Sequence, residues 1–78
     1  MPGAVSPLLM VSPGKEVILV SLDGGLNFRR RLTDMGLAEG VRFKVLHSQG
    51  RGQCIVRVGN TRLAIGCGMA QKIMVRET

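Results

Sequence analysis

Residues 28–40 read FRRRLTDMGLAEG, a stretch that opens with a helical period and stops at a glycine. Phe28, Leu32 and Met35 recur at i, i+4 and i+7, which puts all three on one side of a helix. Arg29, Arg30 and Arg31 cannot all share that side, so they stand on the free face. Gly36 falls one step past the last periodic residue, where a left-handed residue closes a helix. Leu37 then has two readings: the hydrophobic partner of that cap, or an exposed apolar anchor beside the arginines. Ala38-Glu39-Gly40 turns the chain into 41–48, where Val41, Phe43 and Val45 alternate with Arg42 and Lys44, the pattern of a half-buried strand.

Working backwards, Asp23-Gly24-Gly25 bounds a strand over 15–22 rich in β-branched residues, and Ser12-Pro13-Gly14 is a turn, because Pro fixes φ and Gly accepts φ > 0 after it. Residues 1–11 carry Pro2, Gly3 and Pro7 with little periodicity, which predicts a flexible or loosely docked arm ahead of a domain over 12–78. Working forwards, Gly50-Arg51-Gly52 is a turn. Cys54, Val56 and Val58 alternate with Gln53 and Arg57 in the next strand, while Ile55 puts an apolar side chain on its outer face. Gly59-Asn60 is a hairpin signal leading into 61–65, with Leu63 and Ile65 in phase. Residues 69–72 suit a single helical turn, and Ile73, Met74 and Val75 a last strand. The expectation is a mainly β domain of five short strands, with one helix after the first, closed into a small barrel that hides its edges.

Composition narrows the function. Seventy-eight residues make one domain that buries only roughly 60–65% of its unfolded surface, little room for a deep catalytic cleft. Apolar residues form 45% of the chain and charged ones 21%, so it folds rather than staying disordered. Eleven Lys and Arg against five Asp and Glu give a net charge of +6, which draws acidic proteins, nucleic acid or anionic membrane alike. There is no Trp or Tyr, which counts against stacking single-stranded bases. No apolar run is longer than that of residues 17–20, far short of a membrane span, and the start lacks a basic, then apolar, leader; this places the protein in the cytoplasm.

His47 is the single histidine, and no phosphate-cradling glycine loop is present, so the chain reads as a non-enzyme. A metal or thiol-sensing site is an alternative built on His47, Cys54 and Cys67, but the set lacks the short-spaced pair of a closed zinc site. Cys54 shares its phase with Val56 and Val58 and reads as a small buried hydrophobe. Cys67, between two glycines, reads as the more exposed thiol. Both are expected to be free, and no cofactor is called for. A basic nucleic-acid-binding module is the other alternative. The arginine run suits electrostatic steering towards an acidic protein surface, with Leu37 and Ile55 as the apolar candidates beside it.

Three segments, RRLTDMGLAEGVRFKVL, CIVRVGNTRLAI and AQKIMV, resemble in order and spacing the FeoA domain, the small cytosolic component of bacterial ferrous iron transport. The similarity runs from Val11 to Val75, and R-L-x-x-M-G-L-x-x-G over 31–40 is its most specific part. The resemblance implies an SH3-like barrel that associates with the cytoplasmic GTPase region of the ferrous iron transporter FeoB. It also implies kinship of fold with the C-terminal domain of metal-dependent repressors of the diphtheria toxin repressor type, although no helix-turn-helix is visible here. The chain departs from the family pattern at Gly66-Cys67-Gly68-Met69, where charged residues are usual, and at Glu39, where proline is usual.

Overall fold

The computed structural model describes residues 4–47 and 53–78. The elements, in order, are β1 (Val5–Pro7), a single 3-10 turn (Leu8–Met10), β2 (Glu16–Leu22), α1 (Leu26–Asp34), β3 (Arg42–His47), β4 (Gln53–Val58), β5 (Thr61–Gly66), α2 (Cys67–Ala70) and β6 (Ile73–Glu77). The six strands form one antiparallel sheet in the order β1-β6-β2-β3-β4-β5. It wraps one mainly aliphatic core to which every strand from β2 to β6 contributes, and which Leu8, Val11, Leu32, Leu37 and Ala70 complete.

The period-2 pattern of each strand reappears as burial. Val17 and Leu19 on β2, Phe43 and Val45 on β3, Cys54 and Val56 on β4, Ile65 on β5, and Ile73 and Val75 on β6 all point inwards. The phase breaks on β2, where Leu22 is buried after Leu19. A bulge between Leu19 and Ser21 in the pairing with β6 supplies the odd step. A second irregularity lies between Val45 and His47 against β4.

Two turns follow the expected chemistry. Gly14 has φ of +90° after Pro13, and Gly59 has φ of +61° while Asn60 does not have positive φ. With Val58 opposite Thr61, Gly59-Asn60 is the two-residue hairpin loop with glycine first, whose twist suits the flanking strands. The predicted Gly50-Arg51-Gly52 turn lies outside the described residues.

One correction concerns the expected flexible or loosely docked arm over 1–11, of which 4–11 are described. Val5–Pro7 pairs with β6 through Val5↔Arg76, Ser6↔Val75 and Pro7↔Met74, and the 3-10 turn beyond it buries Leu8 completely and Val11 almost so, which makes this described part a docked strand and turn. The strand is three residues long and sits at a sheet edge, where Pro7 needs no second partner for its missing N–H. Too short to show a period, it gains its order from a partner strand some seventy residues away. The short second helix also begins two residues earlier than expected, at Cys67, so that Ala70 is buried and Ile73 enters β6 in phase.

Candidate partner-binding surface

Helix α1 has nine residues, too few to persist alone, so tertiary contacts hold it. Its N-cap, Gly25, contributes no side-chain bond and its first turn has no acidic residue. Anchorage comes from packing: Leu32 is fully buried, and Phe28 lies partly buried against the core. The Phe28 ring folds back over Gly24, where a Cβ would overlap it, and carries Lys72 Nζ 5.9 Å from its centroid, at the outer limit of a cation–π contact. Met35 departs from the expected stripe. It occupies the C-cap, beyond the regular helix, and is about one-third exposed.

The stop is built as a complete C-cap. Gly36 has φ of +97°, its N–H donates to Thr33 O at 2.9 Å, and the Leu37 N–H donates to Leu32 O at 2.8 Å. These are the two bonds of the Schellman arrangement, and Leu32 and Leu37 are both fully buried as its apolar pair. Of the two readings of Leu37, burial selects the cap, and the residue cannot serve as a surface anchor. The Ala38-Glu39-Gly40-Val41 turn then closes through Val41 N–H to Ala38 O at 3.1 Å, with φ of +88° at Gly40. Glu39 in place of the usual proline leaves this turn intact, because the conformational demand falls on Gly40. The Gly40 N–H donates to Leu19 O at 2.8 Å and Leu19 N–H to Val41 O at 3.0 Å, which ties the end of the helical segment to β2.

This leaves a rigid helix with a charged outer face. Arg29, Arg30 and Arg31 are all exposed. At 100° per residue, Arg30 and Leu26 stand nearly opposite the Leu32 stripe, with Arg29 and Arg31 on the two flanks. Arg29 lies 3.5 Å from Glu39 across the C-terminal turn, a pair more than half exposed on both sides and worth little to stability. Among the described residues Arg30 and Arg31 have no carboxylate at ion-pair distance. Leu26 is 67% exposed, one turn before Arg29 and Arg30. It is the apolar residue of this face that the sequence pattern passed over, since its position before the first periodic residue gave no signal.

Residues 6–77 match the FeoA domain. The chain belongs to the FeoA domain family. It is 38% identical over 71 residues to "Putative Fe(2+) transport protein A" of Methanocaldococcus jannaschii, covering 91% of this chain and 85% of that one. The crystal structure of an iron uptake regulatory protein (FeoA) is similar at 43% identity with a TM-score of 0.89, over 96% of this chain and 100% of that one. A manganese-dependent transcriptional repressor, 19% identical, shares the fold with a TM-score of 0.86, covering 100% of this chain but only 44% of its own. The fold is therefore the SH3-like one of FeoA domains, and the chain is a small protein of an Fe(2+) transport-associated family.

The remaining candidates of this FeoA-domain chain disperse. Ile55 is half-buried on β4 and alternates with Cys54 and Val56, so it projects from the opposite side of the strand to the core that α1 joins. His47 is exposed at the end of β3, opposite Ile55. Cys54 is fully buried and Cys67 half-buried, both free. Burial pushes the Cys54 thiol pKa up, which disfavours the thiolate that a metal or an electrophile requires. Among the described residues no three His, Cys, Asp or Glu gather as a metal site, and no pocket is present. Among the described residues no helix is long and apolar enough to cross a membrane.

Proposed function

We propose that this chain is a non-enzymatic, cytoplasmic accessory protein of ferrous iron uptake that binds the cytoplasmic GTPase region of a FeoB-type transporter through the outer face of α1. Leu26 forms the centre of the contact and Arg29, Arg30 and Arg31 its rim. The observation that supports this reading is the capped helix end. Two cap bonds and the Gly40–Leu19 link fix α1 without using its outer face, so three arginines and an exposed leucine are held in place with, among the described residues, no side-chain ion pair beyond the weak Arg29–Glu39 one. An apolar residue among charges suits a modest protein contact, in which the charges steer and the apolar group anchors.

The test is an amide titration of the labelled chain with the GTPase region of its cognate transporter at physiological salt. Shifts centred on 26–40 are expected, and Arg29→Glu with Arg30→Glu is expected to weaken binding about tenfold at low salt, mainly through association rate. Shifts elsewhere, or an unchanged affinity in the double variant, would remove α1 from the contact.

A further inference from the structure

Most of the basic charge is not on the helix. Lys44 on β3 lies directly opposite Arg57 on β4, and Arg57 lies directly opposite Arg62 on β5. All three side chains are exposed on the face of the sheet turned away from the core, and Arg42 stands two residues from Lys44 on the same side. Cross-strand pairs of this kind hold their Cβ atoms about 4.5–5.5 Å apart, and like charges placed so are destabilising. Among the described residues none of the three has a carboxylate at ion-pair distance. Glu16 continues the row opposite Lys44 on β2, yet its carboxylate receives the Thr78 hydroxyl at 3.4 Å. A charge on an edge strand deters unwanted pairing, which accounts for Arg62 on β5 but not for Lys44 and Arg57 on inner strands. Along the next step of the same face runs a weakly apolar row, half-buried Ile55 opposite exposed Ala64.

We propose that this cationic sheet face, Lys44, Arg57 and Arg62 with Arg42 beside them, docks the protein on an anionic phospholipid surface. Among the described residues no pocket is present to enclose a discrete anion. The face offers no aromatic platform for bases, since Phe43 is buried on the inner side and Phe28 lies on α1. Nor is it an apolar centre with a charged rim, the anatomy of a protein contact, because here the charges are the centre. A bilayer of anionic lipids asks only for several cations presented together on one side, each of which adds to attraction within a Debye length of the surface. Ile55 and Ala64 give that side some apolar area to set against the headgroups. The inference rests on the proposed function in one respect, that a protein acting on a membrane transporter works within reach of the bilayer; it leaves α1 free to meet the transporter.

The experiment is co-sedimentation of the full chain with vesicles of mixed phosphatidylglycerol and phosphatidylcholine, against phosphatidylcholine alone, with duplex RNA as a separate probe. Lys44→Gln, Arg57→Gln and Arg62→Gln together are expected to weaken binding to the anionic vesicles roughly ten- to hundredfold. Arg29→Gln, Arg30→Gln and Arg31→Gln, which remove the same charge, are expected to leave most of it. The sheet variant should also melt no lower than the parent, because the opposed like charges are gone, and this shows it is folded. Equal loss in both triple variants would reduce the effect to net charge and overturn the proposal. So would wild-type binding that does not distinguish the two vesicles, an unaffected sheet variant, or binding to duplex RNA with none to vesicles. No transporter is present in the assay, so its failure leaves the α1 contact standing, and loss of that contact does not touch this one.

Discussion

Leu37→Ala separates the two roles that the sequence allows this residue. With Leu37 fully buried beside Leu32, the substitution removes three carbons from the core, a transfer loss of about 2–2.5 kcal/mol. The cavity left at a site pinned by the cap bonds and by the Gly40–Leu19 link cannot collapse freely, which raises the total to about 3–5 kcal/mol. The cap bonds are backbone bonds and survive, so the helix end is loosened rather than unwound. A domain of this size is worth roughly 4–12 kcal/mol in all, and the melting temperature should fall by roughly 15–30 °C. Urea unfolding must be followed by far-UV circular dichroism, since the chain has no Trp or Tyr to report by fluorescence. The expected result is a much lower midpoint with an unchanged m-value. A loss below about 0.5 kcal/mol, accompanied by weaker partner binding, would refute the packing argument and return Leu37 to the surface.

Three further outcomes follow from the same geometry. Gly36→Ala should cost about 1–2 kcal/mol by the same urea assay, all of it backbone strain at φ of +97°, because the new Cβ meets Val58 Cγ1 at an ordinary 3.8 Å. Leu8→Ala should cost about 2–5 kcal/mol, whereas a loosely docked arm would register no change. Burial raises the folded-state pKa of Cys54 above its unfolded value of about 8.5, so its contribution is complete below that pH and is lost as pH rises beyond it. Cys54→Ala should flatten this alkaline decline in thermal melts, and a thiol reagent should label Cys67 quickly in the native protein but Cys54 only at the rate of unfolding.

Much of the fold is legible locally. The Phe28–Leu32 spacing, the glycine at position 36, the β-branched run of β2 and the alternation on β3 to β5 are short-range signals, each readable within a few residues, and the structure realises them as α1, its cap and four strands. The surface of the site is only partly legible. Exposure of Arg29 to Arg31 follows from their lying off the apolar stripe, but the exposure of Leu26 and Met35 depends on where the helix begins and ends against the sheet.

By itself the sequence determined the helix and its stop, the inward phase of the strands, the hairpin at Gly59-Asn60 and the likeness to FeoA domains, because periodicity and turn chemistry are properties of adjacent residues. Tertiary structure alone decided three things: that Val5–Pro7 is a strand, that Leu37 is buried in the core rather than exposed beside the arginines, and that Lys44, Arg57 and Arg62 stand in one row. Each depends on which distant segments pack or pair together, and among the strands that pairing sets the register, so no window of the chain contains it.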